Sequence, residues 1–234
     1  MPEIKQFRYG TDNLAYLIYD KTTALAIDGG AAREILAFLA ASGLQLHWVA
    51  NTHNHHDHTW GNAALLRETG ARLLTGPELA GGKNMPIIDG ENIQVFPTPG
   101  HSEDSVSYYF SGVVLTGDTL FNGTVGNCFT GDLCSFHESI KKLMSLPPDT
   151  VVYAGHDYVR LAMDFLSRLD PEGDEANCYL EKYDPRHVRS CLRDELAMNP
   201  YLRFDDPRIK LLLERRGLAA GDSRQRWLSI MSIE

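Results

Sequence analysis

The segment THNHHDH, at residues 52–58, places four of the nine histidines of the chain within seven positions. It follows LQLHWVANT, at residues 44–52, which is short and apolar and is typical of a buried strand. Imidazoles are seldom concentrated in a core or on a plain surface. A fold for this chain must therefore hold several histidines at the end of a strand, where other segments can reach them.

Short strands and amphipathic helices alternate over the first two thirds of the chain. LAYLIYD (14–20) and ALAIDGG (24–30) predict neighbouring strands, and strand-like patterns recur as far as DTVVYAGHDY (149–158). Apolar spacing predicts helices at 31–43, 59–70 and 136–146. After about residue 165 the patterns are helical and no strand is evident. We predict an α/β domain at 1–165 and a helical region at 166–234.

Composition limits the classes of partner. A net charge of −9 and a pI of about 5.4 argue against a nucleic-acid partner, which requires a clustered positive surface. The sequence has neither an apolar run of the ~20 residues of a membrane span nor a secretory signal. The four cysteines form no Cys-x-x-Cys pair. We expect a cytoplasmic protein with free thiols and no membrane partner, and the oligomeric state stays open.

Polar side chains also follow other predicted strands. The residues concerned are His53, His55, Asp57, His58, His101, Asp118 and His156. Loops at strand ends are where catalytic groups collect on a rigid scaffold. Five histidines and two carboxylates suit two divalent metal ions, for which zinc is the first expectation and iron or manganese are the alternatives. The sequence therefore predicts a metal site with open positions for water.

The remaining histidines have simpler expected roles. His47 lies on an apolar strand and is expected to be structural. His137 and His187 lie in polar surroundings and are expected on the surface. His56 stands between ligand candidates, and its side chain is expected to point elsewhere.

Four motifs together carry a family resemblance. THNHHDH, TPGHS (98–102), TGDTLF (116–121) and YAGHDY (153–158) resemble the metallo-β-lactamase superfamily over residues 10–160. The resemblance implies a four-layer αβ/βα sandwich with metals at one edge, followed here by a C-terminal helical appendage. It also implies one metal held by His53, His55 and His101, another held by Asp57, His58 and His156, and Asp118 as the bridge between them.

Within this superfamily the chain is similar to glyoxalase II, the hydroxyacylglutathione hydrolases. LPPDTVVYAGHDY (146–158) and SCLRDELAMNPYLR (190–203) carry this similarity. The exported β-lactamases, most of which have cysteine in place of Asp118, and the RNA-processing branch, with its extra domains and basic surface, match less well. The resemblance implies a small-molecule thioester substrate such as S-lactoylglutathione, with residues 166–234 covering its thiol-bearing part.

The resemblance also implies a mechanism of thioester hydrolysis. A hydroxide shared by the two metals would attack the carbonyl, because metals lower the pKa of bound water to about 7. Asp57, which would orient the hydroxide, and the bridging Asp118 are the predicted catalytic residues. The leaving thiol has a pKa of about 8.5, so it needs little help from a general acid.

Three positions are predicted to contact the substrate. Tyr158 matches a glutathione-contacting position of the family, whereas Asn127 and Phe129 stand where the family has a lysine and a tyrosine. The closing WLSIMSIE (227–234) lacks the family's Arg-x-x-Lys pair and is expected to pack on its own domain. Glutathione carries two carboxylates and prefers cationic partners, so we expect its binding to be weak.

Two alternatives stay open. A persulfide dioxygenase would use a single iron held by His53, His101 and Asp118, but its Arg-Thr-Asp-Phe-Gln stretch is not found in GNCFTGD (126–132). The longer C-terminal region also fits that branch less well. A degenerate metal-binding module without catalysis is the third interpretation, and the complete ligand set argues against it.

Overall fold

Two five-stranded sheets contain most of the strands of this computed structural model, which describes residues 1–75 and 86–233. In the first sheet β1, β2 and β3 are antiparallel, and β4 and β5 continue it in parallel. Its strands are β1 (Glu3–Tyr9), β2 (Asn13–Tyr19), β3 (Thr23–Ile27), β4 (Gln45–Ala50) and β5 (Arg72–Leu73).

The second sheet has the order β12-β11-β10-β9-β8, in which only β10 and β11 are parallel. Its strands are β8 (Gln94–Pro97), β9 (Val106–Phe110), β10 (Val113–Gly117), β11 (Val151–Ala154) and β12 (Ser190–Cys191). A separate two-stranded sheet consists of β6 (Ile87–Ile88) and β7 (Glu91–Asn92).

Helices follow the strands and cover the sheets. Those in the described residues are α1 (Ala32–Ser42), α2 (His56–Thr59), α3 (Asn62–Thr69), α4 (Leu133–Met144), α5 (Val159–Leu169), α6 (Glu175–Lys182), α7 (Leu192–Met198), α8 (Pro207–Arg215) and α9 (Ser223–Met231), with a short 3₁₀ helix at Gly29–Ala31. Helix α1 ends as the sequence predicts, because Gly43 adopts a left-handed φ of 71° and its N–H caps the Leu39 carbonyl.

Four layers follow from the alternation of side chains along the strands. Tyr16 of β2 and Tyr153 of β11 meet in a core cluster between the two sheets. On the outer face of the first sheet, Leu17 packs in a cluster that includes Ile35 of α1. On the outer face of the second sheet, Val152 packs in a cluster with helices of the C-terminal half. The predicted αβ/βα sandwich is confirmed.

The C-terminal region is joined to the second sheet. Ser190 and Cys191 form a short strand antiparallel to β11, so the prediction of no strand beyond residue 165 is wrong. Two residues are too few to produce a recognisable alternation. Helix α5 runs across the predicted boundary at 165. The division into 1–165 and 166–234 stays a prediction.

The chain's closing helix packs on its own domain, as the sequence predicts. Trp227 and Ile230 are fully buried, and the Trp227 ring lies edge-on to Phe136 of α4, with centroids 5.7 Å apart. All four cysteines are free. Across residues 1–75 and 86–233, no helix combines the length and apolar character needed to cross a bilayer.

One of the simpler histidine predictions is wrong. His137 is buried rather than on the surface, with its ring 5.1 Å from that of Phe204 and 5.2 Å from that of Trp227. Its polar sequence neighbours do not show that α4 turns this face toward the C-terminal helices. His47 lies exposed on β4 and belongs to none of the ligand groups, so its structural role stays a prediction, and His187 is exposed as predicted.

Candidate metal centre

Four chain segments bring the seven predicted ligands into one cluster. The loop after β4 and the short helix α2 carry the four side chains of THNHHDH, and His101 follows β8. Asp118 and His156 follow β10 and β11, which are parallel neighbours. Because parallel neighbours end at the same edge of a sheet, these two side chains meet there.

Three imidazoles form the first group of the cluster. The Nδ1 atom of His55 lies 2.9 Å from Nε2 of His53 and 3.0 Å from Nε2 of His101. The three ligand atoms all lie within 4.8 Å of one another. His53 and His101 are buried, and His55 is half-buried at the mouth of the cluster.

Asp57, His58 and His156 form the second group. The Nε2 atoms of His58 and His156 are 3.2 Å apart. The Oδ2 atom of Asp57 lies 3.3 Å from Nε2 of His156 and 3.6 Å from Nε2 of His58. His58 is fully buried, whereas the Asp57 side chain keeps 43% of its surface accessible. Asp57 therefore faces both the cluster and solvent.

Asp118 lies between the two groups. Its Oδ2 atom is 3.5 Å from Nε2 of His101 and 3.4 Å from Nε2 of His156. Its Oδ1 atom is 3.4 Å from Nε2 of His58, is buried, and has no hydrogen-bond partner. One carboxylate thus lies within 3.5 Å of ligand atoms of both groups.

The residues present fit divalent metal ions. A tetrahedral site with metal–nitrogen bonds of 2.0–2.1 Å separates its ligand atoms by about 3.3 Å, close to the spacings in both groups. Imidazoles that meet nitrogen to nitrogen share at most one proton, so a cation satisfies them better. The backbone makes room for this arrangement, because a Cβ on Gly155 would lie 2.1 Å from Oδ1 of Asp118.

The outer nitrogens of the histidines are also held. Nδ1 of His156 lies 2.8 Å from Oδ1 of Asp12, and Nδ1 of His58 lies 3.1 Å from Oδ2 of Asp28. Nδ1 of His101 lies 3.0 Å from the backbone carbonyl of Asn127. Such partners orient imidazoles and fix which nitrogen faces a metal.

Sequence reasoning missed Asp12 and Asp28, the two carboxylates that contact the outer nitrogens of His156 and His58. The only signal for Asp28 is its place directly after β3, the pattern that identified the ligands. Asp28 is fully buried, adopts a φ of 62° and accepts hydrogen bonds from the backbone and the hydroxyl of Thr52, at 2.8 and 2.9 Å. A left-handed backbone at a non-glycine residue costs about 1–3 kcal/mol, so the surroundings of this carboxylate hold it in place.

Buried charges set the protonation of the cluster. Burial lowers the pKa of His53 to about 4, helped by the neighbouring charge of His58. Burial also opposes the charged form of His58, but Asp28 and Asp118 outweigh it and raise the pKa to about 11. Burial disfavours ionised Asp118, yet the adjacent imidazoles of His156 and His58, each 3.4 Å away, hold its pKa well below the ordinary value. Within the protein itself, the negative charges of the carboxylates and the positive charges of protonated imidazoles thus offset one another.

The three predicted substrate contacts lie around this cluster. The exposed ring of Phe129 is 5.1 Å from that of His101, and the Tyr158 ring stacks on His156 at 5.1 Å and 9°. The Asn127 side chain is exposed, and it is its backbone that touches the cluster. His56 is exposed, with its ring 6.1 Å from that of Trp60, and belongs to none of the ligand groups, as predicted.

Comparison with known proteins gives one family match. A model described as Metallo-beta-lactamase superfamily matches residues 8–94 and 86–156. The matched stretches run from β1 to just beyond β11 and include all seven clustered side chains.

Similar curated proteins include several named hydroxyacylglutathione hydrolase. The protein from Anaeromyxobacter dehalogenans (strain 2CP-C) is 34% identical, and the alignment covers 93% of each chain. The protein from Chromohalobacter salexigens is 30% identical, with 91% of each chain covered.

Solved structures agree on the fold. ETHE1 from Myxococcus xanthus superposes with a TM-score of 0.68 at 24% identity, covering 98% of this chain and 89% of that chain. At this identity the likeness concerns the fold alone. TTHA1623, solved in a di-iron-bound form, superposes with a TM-score of 0.59 at 25% identity, covering 85% of this chain and 100% of that chain.

Proposed function

This chain belongs to the metallo-β-lactamase superfamily, and from that premise we propose that it is a glyoxalase II-like thioesterase with two divalent metal ions. The chain is a hydrolase of that superfamily, and its clustered histidines and aspartates are a divalent-metal site. The curated relatives named hydroxyacylglutathione hydrolase support a small-molecule thioester as the substrate class.

The position of Asp118 is the observation that carries the proposal. Its two oxygens lie 3.4–3.5 Å from histidine nitrogens of both ligand groups. A single iron held by His53, His101 and Asp118 would leave the second group without a purpose. The di-iron form of TTHA1623 gives further support for two metals. Zinc remains the first choice, with iron or manganese as alternatives, because imidazole and carboxylate accept all three.

When bound, two divalent metals would make a water nucleophilic near neutral pH and would polarise the thioester carbonyl. The chain's own residues would supply orientation. The Asn13 side-chain amide donates to Oδ2 of Asp57 at 2.9 Å, and the Tyr9 hydroxyl donates to the Asp57 carbonyl at 2.9 Å. Asp57 is thereby held with an accessible carboxylate, which can accept a hydrogen bond from the attacking water.

Further parts of the proposal concern the substrate. Residues 166–234 would cover its thiol-bearing part, and Tyr158, Asn127 and Phe129 would contact it. The rings of Tyr158 and Phe129 lie against histidines of opposite ligand groups, which supports contact on both sides of the reacting carbonyl. The product thiolate leaves without a dedicated acid because its conjugate thiol has a pKa of about 8.5. We keep a cytoplasmic location as a sequence-based prediction.

Metal analysis of the purified protein, combined with two activity assays, tests this function. Hydrolysis of S-lactoylglutathione and oxygen uptake with glutathione persulfide would be measured on the same preparation. We expect about two metals per chain and thioester cleavage without oxygen uptake. One iron per chain with persulfide-dependent oxygen consumption would replace the thioesterase by the dioxygenase. Two bound metals with neither activity would contradict both enzymes.

A further inference from the structure

The metal cluster, which consists of the seven predicted ligands, and its hydrogen-bond partners include four carboxylates. Asp57 and Asp118 lie within the cluster, and Asp12 and Asp28 hold outer nitrogens of two of its histidines. Two divalent cations would bring four positive charges, which these four carboxylates balance. A neutral site exerts no long-range attraction on the carboxylates of an anionic substrate.

Arg8 and Arg160, which are close in sequence to Tyr9 and Tyr158, both have partners within the protein. The Arg8 guanidinium forms an ion pair with Asp157 and donates to the Pro185 carbonyl at 3.0 Å. The Arg160 guanidinium lies over the ring of Tyr183, 5.6 Å from its centroid. The charge of Arg8 is therefore balanced by Asp157, and the Arg160 guanidinium is held against the Tyr183 ring.

Large apolar side chains are exposed beside the cluster. Six large apolar side chains are exposed in residues 1–75 and 86–233, among them Phe129, Trp60 and Leu161, with 66%, 51% and 67% of their surface accessible. Phe129 contacts His101 directly, whereas Trp60 and Leu161 lie beside Tyr9 and Tyr158, which contact cluster residues. The Trp60 ring is 5.9 Å from that of Tyr9, which itself bonds to Asp57. Exposed apolar side chains gathered around a cleft mark a binding surface.

Leu161 belongs to a small cavity that shares Tyr158 with the surroundings of the metal cluster. The cavity has a volume of about 200 Å³ and is lined by Thr124, Tyr158, Leu161, Ala162 and Phe165. The Tyr158 ring forms its inner wall and stacks on His156, at a centroid distance of 5.1 Å. A group bound in this cavity would therefore pack against Tyr158, whose ring also contacts His156 of the second ligand group.

Building on the proposed thioesterase, we infer that its substrates are uncharged thioesters carrying an aromatic or alkyl group, and that the cavity beside Tyr158 binds this group. The apolar walls favour a group that leaves water on binding. The balanced charge at the metals gives no advantage to a carrier with several carboxylates. Leu161 then acts in substrate specificity and not in the chemical step.

Three acetyl thioesters distinguish the substrate classes on the metal-loaded protein: those of glutathione, which is anionic, of N-acetylcysteamine, which is neutral and polar, and of benzyl mercaptan, which is neutral and aromatic. We expect the benzyl thioester to have the lowest KM, about tenfold below that of the glutathione thioester. Leu161→Gln should raise the KM for the benzyl thioester about tenfold and leave kcat unchanged. Leu211→Gln, at an exposed leucine of α8, is the matched control and should leave KM unchanged.

Binding of benzyl ethyl sulfide, a thioether that cannot be hydrolysed, separates failure of the inference from failure of the proposed function. Calorimetric binding that weakens in Leu161→Gln, together with no cleavage of any thioester, would support the apolar site and contradict the thioesterase. Cleavage with the lowest KM for the glutathione thioester, or a KM indifferent to Leu161→Gln, would overturn the inference and leave the thioesterase standing. Neither binding nor cleavage would overturn both.

Discussion

Glu195 lies on α7, fully buried, and accepts hydrogen bonds from three side-chain and backbone groups. Its Oε2 accepts from the Gly123 N–H at 2.9 Å and from the Asn199 amide at 3.0 Å, and its Oε1 accepts from the Tyr179 hydroxyl at 3.1 Å. Gly123 belongs to the loop between Asp118 and the carbonyl that holds His101. Glu195 therefore ties the C-terminal region to the loop behind the metal cluster.

Glu195→Ala should remove this connection. It removes the acceptor of three buried N–H or O–H groups, and at about 1 kcal/mol for each, the lower end of the usual range, the free energy of unfolding should fall by about 3 kcal/mol. For a chain of this size the melting temperature should drop by about 6–12 °C. Glu195→Gln is the matched control. Its carbonyl can accept from Gly123 and Asn199, and its amide can donate to the Tyr179 hydroxyl, so it should stay within about 1 kcal/mol of the wild type.

The assay is thermal unfolding at neutral pH of the three metal-loaded proteins, followed by circular dichroism. A melting temperature for Glu195→Ala within about 3 °C of the wild type would refute the reasoning, because loss of the acceptor would then cost little. Equal losses in the alanine and glutamine variants would show that the negative charge, and not the geometry of the acceptor, holds the loop.

The remaining predictions concern pH, metal affinity and substrate binding. Burial, opposed in part by its hydrogen bonds, raises the pKa of Glu195 above its ordinary 4.5. The stability that Glu195 contributes is therefore fully present below about pH 4.5 and is lost as the pH rises through the folded-state pKa. Chemical denaturation across pH should therefore show Glu195→Gln gaining stability relative to the wild type as pH rises from acid to neutral, and a pH-independent difference would contradict the shift. Asp28→Asn should lower metal affinity about 10–100-fold, measured by competition with a chelator, and unchanged affinity would mean that the Asp28–His58 bond does not tune the ligand. Asp118→Ala should lose both metals and nearly all activity, whereas full metal content with wild-type turnover would rule out a bridge. Asn127→Lys combined with Phe129→Tyr should lower the KM for a glutathione thioester, and an unchanged KM would mean that these positions do not face the substrate.

Local sequence signals predicted much of the fold. The helix at 31–43 and the strands at 14–20 and 44–52 were predicted to within a few residues, because apolar periodicity and terminal glycines act within one element. Strand β1 was not predicted, although its residues alternate in burial once the sheet is formed. Strand β12 was predicted as absent, because a two-residue strand exists only through its pairing with β11.

The seven side chains that the structure brings together were predictable from the sequence, because histidine and aspartate directly after short strands indicate a shared site. Only the tertiary structure identified the carboxylates behind them. Asp12 and His156 are 144 positions apart, and Asp28 and His58 are 30 apart, so no local pattern connects either pair. The same holds for His137, which reads as polar surface until α4 turns it against Trp227. Spacing along the chain encodes residues that act from one loop, whereas partners contributed by remote segments meet only when the two sheets and their covering helices pack together.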